Sequence, residues 1–196
     1  MYVKNYYVQH FYRKLFFIGR IFVFLQLQVI PVNMNFRKAK TEEIDIIMDV
    51  FDAAKRFMRK TGNDKQWVGG YPSKELLLDN IRNDGLYVCL SEDEQIIGAF
   101  YFKVEDDKTY AAIYEGEWLN DKPYGVVHRI ASNGKQKGIG DACLQWCLEQ
   151  CGNVRVDTHR INTVMRNVLV RNGFRQCGII YVADGTERIA YQKCIF

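Results

Sequence analysis

Two periods alternate along the chain. Ile44, Ile47, Met48, Phe51, Ala54 and Met58 recur every three or four residues and predict an amphipathic helix. Thr41 stands at its cap, Glu42 and Glu43 in its first turn, and Gly62 at its end. A second helix is predicted from the Ser73 cap to Asp84, stopped by Gly85. β-Branched and aromatic runs predict strands over 36–39, 86–91, 95–104, 125–131, 154–157, 174–182 and 187–193. The pair 86–91 and 95–104 reads as one hairpin, and the last two strands as another across Asp184-Gly185. A further strand is expected over 109–119, where Tyr114, Gly116 and Trp118 alternate with Glu115 and Glu117. Ile139, Ala142, Cys143, Trp146, Cys147 and Gln150 mark a third helix, and 162–172 a fourth that ends at Gly173. The order β-α-α-β-β-β-α-β-α-β-β predicts an α/β domain on a mixed sheet of six to seven strands flanked by helices.

The stretch between the strand at 125–131 and the helix that follows is rich in chemistry. Asn133-Gly-Lys-Gln-Lys-Gly-Ile-Gly places three glycines and two lysines at a strand-to-helix junction. Glycines let the backbone turn tightly and let a ligand approach its amides. The first amides of a helix lack intrahelical partners and sit at the positive end of its dipole. Together these features suit a bound phosphate. A plain surface turn is the simpler reading, since the stretch has neither GxGxxG spacing nor the Lys-Ser/Thr pair of a P-loop.

Lys135-x-x-Gly138-x-Gly140 resembles the pyrophosphate loop of the GNAT superfamily of N-acetyltransferases, in which Gln/Arg-x-x-Gly-x-Gly/Ala cradles coenzyme A. Lys135 replaces the usual Gln or Arg and can still meet a phosphate as a point charge. A second segment, Asn162-x-x-Met165-x-x-Val168-x-x-x-x-Gly173-Phe174, is similar to the family's Asn-x-x-Ala-x-x-Leu-Tyr-x-x-x-Gly-Phe. Leu169 falls where that family often has the Tyr that gives a proton to the departing thiolate. The element order matches the family across nearly all of residues 35–194.

The resemblance implies an acetyl-CoA-dependent N-acetyltransferase that lets a primary amine attack the thioester directly, with no metal. The alternative is a CoA-binding regulatory module with little or no turnover. It also implies a sheet splayed between its fourth and fifth strands. Ile130, Ala131 and Ser132 would pair with the pantetheine arm. Lys135, Gln136, Lys137, Gly138, Ile139, Gly140 and Asp141 would hold the pyrophosphate. Asn162 would contact the arm or simply cap its helix, and Arg166 would reach the cofactor from one turn on. The expected partner is a small amine, cationic in one reading. The family's acceptor grooves are built from loops, here 60–73 and 105–124. A homodimer is left open.

For the general base, His128 lies two residues before Ile130, so on a regular strand both face the same side. An unperturbed imidazole titrates near 6.5, which suits a base at neutral pH. A hydrogen-bonded sheet histidine is the competing reading. Glu117, with Glu115, is the rival base. His159 is expected to orient the loop after the fifth strand.

Charge sharpens the domain boundary. Residues 1–33 hold Lys4, Arg13, Lys14 and Arg20 and no acid, so they carry the whole net charge of +4 and leave 34–196 neutral. A neutral domain with one basic loop argues against nucleic acid, whose footprint is a broad basic face. Residues 1–33 are aromatic-rich and read as an extension before a domain that starts at Met34. Their apolar run is short and interrupted for a membrane span, so a membrane-surface contact is the weaker expectation. The six cysteines form no CxxC pair, which suits a reducing, cytoplasmic compartment. Cys143, Cys147 and Cys151 recur every four residues, and burial is the expected role over metal ligation.

Overall fold

The structure, a computed structural model, describes residues 34–195; the readings of residues 1–33 as an extension or membrane contact lie outside the described residues. β1 (Asn35–Lys38), β2 (Leu86–Leu90), β3 (Ile96–Val104), β4 (Gly125–Ser132), β5 (Asn153–Thr158), β6 (Arg175–Tyr181) and β7 (Glu187–Cys194) form one sheet in the order β1-β2-β3-β4-β5-β7-β6. α1 (Ile44–Lys60), α2 (Lys74–Arg82), α3 (Ile139–Cys151) and α4 (Thr163–Arg171) flank it. The element order is the one expected from the hydrophobic pattern.

The β4–β5 pair is parallel and the other strand pairs are antiparallel. That parallel pair is short. Its register runs from Gly125↔Val154 to Val127↔Val156 and stops there, while both strands continue. The expected splay is thus an unpaired stretch of β4 and β5 in the middle of the sheet, with backbone groups left to find another partner.

Two clusters hold the scaffold. α3 and α4 bring Ile139, Cys143, Leu144, Cys147, Leu148, Val168 and Leu169 against Phe100, Phe102, Val127, Val154 and Val156. α1 and α2 bring Ile47, Phe51 and Leu77 against Val88, Ala99 and Ala131. Cys143 and Cys147 are fully buried, so the four-residue spacing of the cysteines is core packing.

β4 carries one extra residue relative to β3: Tyr101 pairs with His128, but Ala99 pairs with Ala131. Two residues therefore oppose one, and Arg129 takes up the excess at φ 56°. The bulge overturns the expectation that His128 and Ile130 share a face. Ile130 packs with Val127 in the α3–α4 cluster, whereas the His128 ring meets Tyr101 and Tyr110.

Other local expectations shift for physical reasons. Residues 109–119 form no strand; Tyr114 makes a single bridge to Ile179, and the extended run is broken at Glu115, whose φ is 55°. The segment instead covers β5, with Trp118 and Tyr124 stacked on the buried Arg155 guanidinium. Thr41 opens a 3-10 turn rather than capping α1; Glu43 receives the Lys40 amide and a bidentate pair from Arg37. α2 stops before Asp84, which takes the left-handed conformation. Gly85 is needed for a different reason: a Cβ there would lie 2.3 Å from the Tyr101 ring. Among the described residues no helix is long and apolar enough to cross a membrane.

Candidate active site

A groove of about 800 Å³ enters where β4 and β5 part. Its walls come from the second half of α1, the end of β4, the loop 133–138, the first turn of α3, the end of β5, and α4. The glycine junction forms one end. Gly134 and Gly138 adopt φ of 78° and 83°, with open space where a side chain would project. The first bond of the α3 ladder runs from the Ala142 amide to the Gly138 carbonyl, so the amides of Ile139, Gly140 and Asp141 precede it. Arg56, Lys60, Lys137 and Arg171 bring positive charge to the same groove. A strongly anionic ligand fits this end, and its volume suits an extended molecule.

Most of the expected cofactor residues come together here. Ile130, Ala131, Ser132, Gln136, Lys137, Gly138, Ile139, Gly140, Asp141 and Asn162 all line the groove. Lys135 does not; it is exposed, and its amide is held by the Asn133 side chain at 3.0 Å. Arg166 also stays out, turned toward the Tyr191 hydroxyl and the Arg160 carbonyl. The Asp141 carboxylate is taken up by Arg171 and Asn172, tying α3 to α4; these bonds outweigh its burial and lower its pKa. Its amide, not its side chain, is what the anion end can use.

Asn162 does two things at once. Its Oδ1 accepts the Met165 amide as the α4 cap, and its Nδ2 donates to Gln66 Oε1 at 2.8 Å. Gln66 Oε1 also accepts from Asn63 at 2.9 Å. The loop after α1 is thereby fastened to α4. Gln66 and Trp67 join the groove wall through contacts that no local motif announces.

On the other side of the opening lies a row of charged groups. His128 Nε2 is 2.8 Å from Asp107 Oδ2, and its Nδ1 is 3.4 Å from Asp157 Oδ1. The buried Tyr110 hydroxyl donates to Asp157 Oδ1 at 2.8 Å, and Arg188 approaches Oδ2 at 3.9 Å. Burial alone would push the His128 pKa down. The two carboxylates outweigh it and hold the pKa up at about 9. Burial likewise raises Asp107, but the bonds from His128 and Thr109 overcome it and bring that carboxyl down to about 2. His128 is therefore an imidazolium at neutral pH with both nitrogens facing acids. This corrects the expectation of a base poised near 6.5. Of the row, Asp157 is the member that lines the groove.

Glu117 is not brought to the groove. It is exposed, and the strand alternation that recommended it does not form. His159, outside the row, bonds to the Ile161 amide and holds the turn before α4. Burial and nearby cations lower its pKa. Leu169 is fully buried in the α3–α4 cluster.

The chain is 34% identical to a GNAT-family acetyltransferase from Streptococcus agalactiae, with a TM-score of 0.75, over 83% of this chain and 96% of that one. It shares its fold with a GNAT-family acetyltransferase from Listeria monocytogenes, at 18% identity and a TM-score of 0.62, over 83% and 95% of the two chains. A chain of the NatC complex bound to Gag peptide and CoA has the same fold at 13% identity and a TM-score of 0.52, over 84% and 99%. No family model and no curated protein matches the chain. A third of positions identical across nearly the whole of the streptococcal protein, at a TM-score of 0.75, puts this chain in the GNAT family of acetyltransferases.

Proposed function

We propose that the protein transfers the acetyl group of acetyl-CoA to a primary amine, by direct attack of the neutral amine on the thioester. The observation that carries this reading is the groove itself, with an anion cradle at one end and an unpaired strand edge and a row of acids at the other. The amides of Ile139, Gly140 and Asp141 and the cation Lys137 would hold the pyrophosphate. The unpaired edge of β4 from Ile130 to Ser132 would take the pantetheine arm, and an amide there would polarise the thioester carbonyl. One such donor is worth roughly 3–4 kcal/mol in other enzymes. The bond from amine nitrogen to acetyl carbon forms as the carbon–sulfur bond breaks, and the sulfur leaves with the electron pair as a thiolate.

The chain's own residues supply the rest. Asp157 draws in the ammonium form of the acceptor and takes its proton at the groove wall. His128, held as a cation by Asp107, faces Asp157 through Nδ1 at 3.4 Å and, with the Tyr110 hydroxyl, fixes its position. A thiol titrates near 8.5, so the thiolate leaves without a strong acid, and a buried Leu169 is tolerated. Release of free thiol from acetyl-CoA, followed with and without a panel of amines, tests the reading. Amine-dependent release is expected. Tight CoA binding with no release by any amine would favour the regulatory module, which the loss of the family's Tyr at Leu169 recommends.

A further inference from the structure

Arg129 is placed where a long cationic side chain is least expected. Its φ of 56° is left-handed, a region that suits glycine and disfavours other residues. A functional group held in such a conformation is a common mark of a ligand site. Arg129 lines the groove. Nη1 donates to the Tyr71 hydroxyl at 2.8 Å and Nη2 to Asn80 Oδ1 at 2.7 Å, both uncharged partners. The rings of Tyr71 and Tyr101 stand 5.9 and 5.1 Å from its central carbon. Nε is buried with no hydrogen-bond partner.

No ion pair among the described residues includes Arg129. Glu105, the acid that reaches the neighbouring Tyr101, is already used: it accepts the Tyr101 hydroxyl and pairs with Lys103. A half-buried guanidinium whose hydrogen-bond partners are all uncharged suits an anion, above all a planar carboxylate that the remaining Nη N–H groups can grip. The phosphates of the cofactor do not account for it. They have their own cradle and cations, while the neighbours of Arg129 come from the loop after α1, from α2 and from β3.

The opposite charge stands across the opening. Asp157 on β5 lines the same groove as Arg129 on β4. A pocket that offers a carboxylate to one end of a small molecule and a guanidinium to the other selects a zwitterion. A purely cationic amine, such as a polyamine, would meet repulsion at Arg129. Resting on the acetyltransferase reading above, we propose that the acceptor is an amine that also carries a carboxylate, of the amino-acid class, and that Arg129 grips that carboxylate.

Full-length protein, acetyl-CoA and each common L-amino acid, paired with its α-carboxamide, provide the test, with thiol release as the readout and rates expressed per concentration of neutral amine. At least one acid is expected to exceed its carboxamide in kcat/KM by about tenfold to a hundredfold, the range for a hydrogen-bonded charged group. Arg129→Gln should raise KM for that acid until the acid-to-amide ratio falls near one. Arg129→Lys, which keeps the charge but not the fork, should leave a reduced ratio above one. It carries the comparison alone if the Gln variant is unfolded by thermal melting. Carboxamides used as well as acids by the wild type, or an acid preference unchanged in either variant, overturns the inference while leaving acetyl transfer intact. Turnover of no amine at all overturns the acetyltransferase reading itself and this inference with it.

Discussion

The two ends of the groove are built on different principles. The anion end is one continuous stretch, 133–141, and most of its donors are backbone amides fixed by where glycines stand. The end proposed for the acceptor depends on side chains from five separate segments: Arg129 on β4 and Asp157 on β5 line it, and Asn80 on α2, Tyr101 on β3 and Asp107 in the loop after β3 contact Arg129 or His128 behind them. In the proposed reaction, substitution at the first end would act through geometry and charge on the cofactor. At the second it would act on charge balance within a half-buried row. The split predicts that variants sort cleanly, by cofactor affinity at one end and by turnover or pH behaviour at the other.

Asp157→Asn should have the largest effect. If Asp157 takes the acceptor's proton, kcat/KM falls about 100- to 10,000-fold while acetyl-CoA affinity holds, measured by thiol release and calorimetry. Loss of cofactor affinity instead would move Asp157 to the wrong end of the comparison.

His128→Ala comes next, and its main readout is stability. Removing the cation leaves Asp107 and Asp157 without their shared partner, a change that costs about 3–5 kcal/mol when the pair is buried. The sign of the pH dependence follows from the raised pKa. The folded protein holds the His128 proton to about pH 9, the unfolded chain only to about 6.5. This stabilisation is complete below about 6.5 and is lost as pH rises through about 9. Melting temperature of the wild type should therefore fall over that window, and the variant should lack that part of the slope. With rates expressed per concentration of neutral amine, the wild type should show no rate limb at 6–7.5. A limb there would restore His128 as a free base.

Gln66→Ala should be mildest. It removes the bridge between the loop after α1 and the Asn162 cap, at about 0.5–1.5 kcal/mol for a neutral hydrogen bond. A fewfold rise in the acetyl-CoA dissociation constant is expected from calorimetry, with the α4 cap retained.

The contrast between the ends also explains what the sequence could and could not disclose. The glycine–lysine junction is local, so its place at the head of α3 was readable from spacing alone. The splay needed the resemblance as well, since nothing in β4 or β5 by itself says where their pairing stops. The bulge at Arg129 is invisible along β4, because an extra residue exists only relative to the count on β3. Without the bulge, His128 and Ile130 fall on one face, and the histidine reads as a free base. Its true surroundings come from Asp107, 21 residues before it, and from Asp157 on the next strand. The 109–119 alternation misled for a related reason. Gly116 lies so close to the Cys177 carbonyl that a Cβ would stand 2.0 Å away, so the segment is pressed onto β6 as well as β5 as a cover, not laid out as a strand.

Acetyl-CoA affinity of Gly140→Asp is the most direct test of the central claim that the glycine junction holds the cofactor. Gly140 has no left-handed φ, and a Cβ there meets only Val168 at 3.5 Å, an ordinary contact. Gly138, at φ 83°, would confound the result with strain. An Asp in the first turn of α3 favours the helix and repels a phosphate. The expected result in calorimetry is a rise of at least about tenfold in the dissociation constant, since like charges brought together cost several kcal/mol, with a melting temperature equal to or above that of the wild type. Unchanged affinity in a folded variant would contradict the assignment of this loop and, with it, the placing of the cofactor in the groove.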